Sequence, residues 1–503
     1  MALTKAHNRM IDGANVNVLD FGADPTGVTD STAAIQAAIN VGGAVYIPAG
    51  TYSVTGLTLD DNLVMYGDGP DTIILGDGNI SIITASSKSY FTVRDMTVKR
   101  INGFLGDPLN QTVVLTSCTR FLIDSVIFDG ANSAYGGYLI LAGAFNSTVN
   151  NCRFINLAGL GITSSDVTAT GTWSANCVIS NCVKEGGSSQ GINLYYVRNT
   201  TLDNCVSYGS TSTYGCGFVI EYQCENIVLN NCVAYDNRRD GFYIEGNVAY
   251  GVRNVTLTNC TSYANGEAGL NLDANFINIS VVGGTYRDNL STFAVGTGHG
   301  IMAASNIGLT VTGALITGNT GNGIIWAGTP YQGTFSGNLI RANGGYGIYL
   351  DGTPVIINIG TNIIVQNTSG TVFGWVDTAG TYADAEWASY TPIFYKNDGA
   401  TTVSPLTQSF KFHRIGSICH VTGYFSCNSG DLDGSTYFTV PFIIGWTGGG
   451  TGPDALSGRG SATAFGAADQ TFVLSSVYFN TRLQAKTTAT DTSVRVQATF
   501  EIA

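Results

Sequence analysis

A glycine followed by a short run of alternating apolar and polar residues recurs through the middle of the chain, at Gly161, Gly191, Gly217, Gly241, Gly269, Gly300, Gly323 and Gly347. The steps between them are 30, 26, 24, 28, 31, 23 and 24 residues. Alternation of period two is the mark of a strand with one buried face, and no helical period competes with it here. A unit of this length cannot bury its apolar face alone, so its repetition predicts a solenoid with one coil per repeat. A second marker lies between these strands: Asn-Cys at 151, 181, 204, 231 and 259, continued as Gly283-Gly284. Six residues further on come Asn237, Asn265, Asn289, Asn319 and Asn343, expected to stack at one corner as a structural hydrogen-bonded ladder.

The pattern changes at both ends. Near the N-terminus, Ala34, Ile35, Ala38 and Ile39 form one apolar helical stripe, with Asp30 or Ser31 placed to cap it. Such a helix suits the open end of a solenoid, where unpaired strand edges invite aggregation. The repeat fades after Gln366-Asn367, and residues 368–386, rich in Gly, Thr and Ala, read as a linker. From Trp387 short alternating strands separated by Gly and Asp turns predict a β-sandwich over 387–503. The resulting division is a connector at 1–15, a solenoid at 16–367, the linker, and the sandwich.

The opening carries a resemblance. Val16-Asn-Val-Leu-Asp-Phe-Gly-Ala-Asp-Pro-Thr-Gly-Val-Thr-Asp-Ser-Thr-Ala-Ala-Ile-Gln-Ala-Ala-Ile-Asn, followed by Val45-Tyr-Ile-Pro-Ala-Gly-Thr-Tyr, resembles the start of the pectate-lyase-like β-helix family found in bacteriophage tailspikes and polysaccharide depolymerases. The resemblance implies an all-β fold: a right-handed parallel β-helix with a short capping helix and a C-terminal β-sandwich. It also implies a phage tail protein that recognises and depolymerises a bacterial surface polysaccharide, capsule or O-antigen. The C-terminal region resembles the trimerising modules of phage tail fibres, which implies a homotrimer attached to a phage tail or baseplate protein through the N-terminal connector.

Composition narrows the partners. Only 11% of residues are charged, and the net charge of −13 opposes nucleic acid and anionic membranes. Neither a signal peptide nor an apolar run of membrane-spanning length is evident, so the expected place is the virion, after synthesis in the host cytoplasm. Eleven Cys, nine of them before position 261 and none in a Cys-x-x-Cys pair, read as reduced core residues. No metal or other cofactor is expected.

Counting outward positions from each glycine puts Glu221, Glu245 and Asp273 in one file on three consecutive coils. Crowded carboxylates repel, which raises at least one pKa and lets an acid and a base coexist near neutral pH. Glycoside hydrolysis needs such a pair. Adjacent coils approach the roughly 5 Å spacing of retaining enzymes, and Glu221 with Asp273 the ~9 Å of inverting ones, the outcome favoured here. A second choice is Asp240, Glu267 and His299, from Asn237-Arg-Arg-Asp-Gly-Phe, Gly266-Glu-Ala-Gly-Leu and Gly298-His-Gly-Ile. These resemble the Asn-Thr-Asp, Gly-Asp-Asp and Gly-His-Gly motifs of polygalacturonases. They depart from that family in having Glu267-Ala268 for the paired aspartates and no later Arg-Ile-Lys. Tyr195, Tyr222, Tyr243 and Trp173 are expected to stack on sugar faces, with Asn271, Arg238 and Arg239 as polar partners. Tyr208, Tyr235 and Tyr263, each three residues after an Asn-Cys, fit a binding file or a structural one equally. Two alternatives use the same face: a polysaccharide lyase with Arg238 or Arg239 stabilising the enolate-like intermediate, and a glycan-binding adhesin that does not cut.

Overall fold

Each repeat resolves into three short strands. On the coil that begins at Gly217 they are Phe218–Tyr222, Glu225–Asn230 and Val233–Tyr235. The computed structural model describes residues 15–76, 81–101, 112–130, 139–156, 160–163, 173–187, 190–246, 251–293, 297–304, 307–327, 332–350 and 356–373, and C-terminal strands between 384 and 501. Strands from successive coils pair in parallel, and those following the glycines from Gly191 to Gly347 belong to a thirteen-stranded sheet; Gly161 departs from the expected register, since it pairs with Asn193 rather than Gly191. This is the solenoid the repeats predicted, in the right-handed parallel β-helix form that the resemblance implied.

Inward positions fill a narrow lumen with like on like. Phe128 lies over Phe154 at 5.0 Å between ring centroids, and Phe218 over Phe242 at 5.0 Å. From Gly191 to Gly323 the glycines lead each coil because no side chain fits there. A Cβ on Gly241 would lie 2.0 Å from Ser262 Oγ and 2.8 Å from the Gly269 carbonyl. The residue before each stacked Cys bends the chain with a left-handed backbone, φ 51° at Asn231 and Asn259, and Gly283 takes over there at 66°. Asn tolerates that conformation better than most residues, and Gly best of all. The cysteines from 118 to 260 are buried and unpaired.

The Asn ladder runs as expected: Asn237, Asn265, Asn289, Asn319 and Asn343 each donate from Nδ2 to the Oδ1 of the next, at 2.8–3.0 Å, ending at Asn367. At the N-terminal end the helix Thr32–Val41 buries Ile35, Ala38 and Ile39. Of the two cap candidates, Asp30 accepts from the Thr32 amide at 2.8 Å, while the Ser31 hydroxyl makes no cap bond. The expected linker needs correction. Gly370–Phe373 is the last strand of the thirteen-stranded sheet, with Ile348 opposite Val372, so alternation outlasts the Asn repeat. Residues 374–383 and the connector residues 1–14 lie outside the described residues.

The C-terminal strands are antiparallel. Asp384–Tyr390, Thr407–Ile415, Ile418–Ser426 and Ser493–Glu501 form one four-stranded sheet. Phe394–Tyr395, Thr402–Val403, Ser435–Thr439 and Arg482–Lys486 form a second. The first of these strands starts at Asp384, three residues before the expected boundary. Among the described residues no helix is long and apolar enough to cross a membrane.

Candidate functional site on the outward face of the glycine-led sheet

Register decides what this face presents. Tyr195 sits opposite Glu221 and Glu221 opposite Glu245. The Asp273 amide donates to the Ile244 carbonyl at 3.0 Å, putting Asp273 on the next rung of that file. The file two residues nearer the glycines holds Asn193, Val219, Tyr243 and Asn271. Although it faces outward, this second file is buried, with Val219 at 0% and Tyr243 at 6% exposure. Cys216 and Tyr195 pack against Val219 and Tyr243, and the Arg239 guanidinium lies 5.1 Å from the Tyr243 ring centroid. Polar groups on the face are therefore partly withdrawn from water.

That withdrawal sets the electrostatics. Burial pushes the Glu221 carboxyl up to about 7, the charge of Glu245 adds to the rise, and Arg239 opposes it. The Tyr243 hydroxyl lies 2.7 Å from Glu245 Oε2 and 2.9 Å from Asp273 Oδ2, and burial raises the phenol well above its usual value. The first-choice carboxyls thus come together in one file, two of them joined by a tyrosine.

Tyr243 and Asn271 are corrected as direct sugar partners. Tyr243 has no free ring face, and Asn271, 2% exposed, gives its amide to Asp240 Oδ2 at 3.1 Å. Both support the face from beneath.

The second-choice residues are all buried. Asp240 is fully buried, accepts from the Ala268 amide at 3.0 Å, and is raised to about 7 by burial, then by Glu267, against the pull of Arg239. Arg239 bridges it to Glu267, with Nε 3.6 Å from Asp240 Oδ2 and 2.9 Å from Glu267 Oε2. His299 lies on the coil after Glu267. It pairs with Ala268 one coil beyond Asp240, and its Nδ1 accepts from the Asn322 amide at 2.9 Å. Arg238 is exposed, donates to the Thr211 carbonyl at 3.1 Å and lies 6.0 Å from the Phe293 ring centroid.

An aromatic corner flanks the carboxyl file. Tyr196 stacks on Tyr222 at 5.1 Å, Tyr195 meets Tyr222 edge-on at 5.6 Å, and Trp173 meets Tyr196 edge-on at 6.2 Å. Arg198 covers Trp173 at 3.6 Å. Tyr222 is 41% exposed and stands opposite Gly246, which offers no side chain to cover it. Residues 164–172, just before Trp173, lie outside the described residues. Tyr208, Tyr235 and Tyr263 stack face to face at 4.7 and 4.9 Å, with Arg287 4.5 Å from the last ring, so their faces are used on one another.

Sequence reasoning missed Cys216, Val219, Tyr196 and Arg198. Val219 carried a signal, being an apolar residue at an outward position, which points to a cover over the sheet.

Two family profiles match in succession. The first, described as rhamnogalacturonase A/epimerase, pectate lyase-like, matches residues 15–232, and the second, right-handed β-helix region, matches 248–384. The chain carries a right-handed parallel β-helix, similar in sequence to both families over those residues. Among solved structures, this chain is similar to the Dettilon tailspike protein, with a TM-score of 0.53 and 13% identity, over 97% of this chain and 94% of that one. It is also similar to a double mutant of the tailspike of E. coli bacteriophage HK620 in complex with a pentasaccharide, with a TM-score of 0.51 and 15% identity, over 97% and 93%. Its fold is that of phage tailspikes. Among curated proteins, the β-helix is 28% identical over 251 residues to the pre-neck appendage protein of Bacillus phage phi29, covering 45% of this chain and 26% of that protein. It is 28% identical over 289 residues to mannuronan C5-epimerase AlgE5 of Azotobacter vinelandii, covering 46% and 25%. The chain thus spans about a quarter of the length of either relative.

Proposed function

We propose that this β-helix is a phage tail component that binds a bacterial surface polysaccharide, capsule or O-antigen, along the outward face from Tyr222 to Asp273 and hydrolyses it. One observation carries the reading: a file of three carboxyls, one raised to about 7, beside an exposed tyrosine ring. Sugars present C–H faces that stack on such a ring, while their hydroxyls bond to the flanking polar groups. In the hydrolysis, Glu221 gives its proton to the leaving glycosidic oxygen. Asp273, two rungs away at about 9.6 Å of backbone separation, takes a proton from the attacking water, which predicts inversion. Glu245 lies between them and supports the positive charge that develops on the sugar ring. The similarity to tailspikes, one of them solved with a pentasaccharide, supports the setting.

A lyase or an epimerase is the second reading, favoured by the similarity to mannuronan C5-epimerases. Such a reaction removes a sugar C–H proton, and a file of carboxyls with a tyrosine can move one.

Incubating the protein with a panel of purified capsules and O-antigens separates the readings. Hydrolysis gives shorter chains with new reducing ends and no unsaturated sugar. Ultraviolet absorbance of an unsaturated product would instead mean a lyase, inverted sugar configuration without shortening an epimerase, and capture without either an adhesin. A solution mass of three chains is expected, and a monomer would contradict the trimeric assembly.

A further inference from the structure

The hydrogen bonds at Tyr243 do not balance if both neighbouring carboxyls are ionised. A phenol has one proton to give, and a carboxylate only accepts. Yet the phenol oxygen is within hydrogen-bond distance of Glu245 Oε2 and of Asp273 Oδ2, at 2.7 and 2.9 Å. One contact is a donation by the phenol, and the other needs a proton on the carboxyl side. Burial sharpens the conflict, since an unbalanced oxygen pair costs more away from water. The charged and titratable groups facing this trio are Glu221 on the preceding coil, Cys216 and Arg239 above the ring, and Asp240 and Glu267 beyond Arg239.

We propose that Tyr243 is a positioning residue that joins Glu245 and Asp273 into one unit holding a shared proton, while Glu221 acts separately as the acid. The proposal rests on the reading of this file as the cleavage site and adds a division of labour to it. During cleavage the water oxygen bonds to the anomeric carbon as the glycosidic C–O bond breaks. The Glu221 proton goes to the leaving oxygen, and the water proton goes to the unit. The phenol then lets the unit redistribute its protons without either carboxyl turning away.

A shared phenol has a signature. By donating it stabilises the ionised carboxyl, and by accepting it stabilises the protonated one, so it favours the state in which the two carboxyls hold one proton between them. Tyr243→Phe keeps the ring's packing and removes both effects, so that state loses its advantage.

The test is a proton titration of the folded wild-type chain and of Tyr243→Phe. The expected difference curve has two lobes of opposite sign, wild type holding more protons on the alkaline side and fewer on the acid side. A flat or one-signed difference would overturn the proposal. Should the variant not fold, Glu245→Gln carries the same information: its difference from wild type spans two separated waves if the unit exists and one wave if it does not. In cleavage, Tyr243→Phe should lower kcat roughly tenfold, leave KM within about twofold, and narrow the pH profile from its acid side. A purely structural tyrosine would lower the melting temperature and leave the profile in place. If no glycan is cut, the cleavage reading fails while the titration still decides the unit; if Glu221 is needed for cutting and the titration is flat, the unit alone fails.

Discussion

Replacing Glu221 by Gln should abolish cleavage and yet make the protein more stable above neutral pH. Burial, then the charge of Glu245, raises this carboxyl from 4.5 to about 7 in the folded chain, against the opposing pull of Arg239. Because the folded value lies above the unfolded one, the folded state binds more protons between them. Stability therefore falls as pH rises from about 4.5 to about 7, and the loss is complete above that window. At about 1.4 kcal/mol per pKa unit, the ionised carboxyl costs the fold about 3 kcal/mol at pH 8. Gln keeps the shape and never ionises, so it removes that cost at pH 8 and changes little at pH 4. Asp240, also raised to about 7, remains and leaves a shallower decline in the variant. The assay is the apparent melting temperature of both proteins at one scan rate, since unfolding of a long solenoid is governed by its rate. At roughly 2 °C per kcal/mol for a large domain, the variant should melt roughly 5 °C higher at pH 8 and nearly level with wild type at pH 4. A variant that melts no higher at pH 8 would refute the claim that this carboxyl is held in a desolvated site.

Other expectations follow from single positions. Asn265→Ala removes a fully buried rung bonded to Asn237 and Asn289 and should cost roughly 2–4 kcal/mol, read as a lower melting temperature with the coil register intact. Lys184 points into the lumen, its Nζ donating to Ser210 Oγ, and burial lowers it from 10.5 to about 7. Its folded value lies below its unfolded one, so stability is lost as pH falls from about 10.5 to about 7; Lys184→Met should raise the melting temperature at pH 6 and much less at pH 10. Tyr222→Ala should weaken glycan binding about tenfold, in KM rather than kcat, because stacking holds the sugar without touching the bond that breaks.

Much of the fold was legible because a solenoid writes its geometry once per coil. Gly241 is Gly because a Cβ would strike the next rung, Asn231 bends left-handed before a buried Cys, and Asn265 is one link of a chain. Each cause recurs at a fixed spacing, so period and residue type reveal it together. The file of Glu221, Glu245 and Asp273 was legible for the same reason, since register counted from the glycines fixes which way each side chain points. What covers that face was not legible. Cys216 and Arg239 reach over the sheet from turns, and turns differ in length from coil to coil, so period gives no purchase on them. The fate of Tyr243 turned on that cover: outward register suggested a ring open to sugar, and packing with Cys216 and Val219 made it a buried ring whose hydroxyl alone is used. Residues 368–373 were misread because Gly and Thr suggest a linker, although one more strand needs only Val372 opposite Ile348.

The central claim is that a surface polysaccharide lies across the carboxyl file with a sugar on Tyr222. A crystal structure of the Glu221→Gln variant, which should bind and not cut, with an oligosaccharide of the host glycan tests it most directly. The account predicts a sugar ring stacked on Tyr222, a glycosidic oxygen within hydrogen-bond distance of the residue at 221, and room for a water on the Asp273 side. An oligosaccharide seated on another face of the solenoid, or on the C-terminal strands, would contradict it.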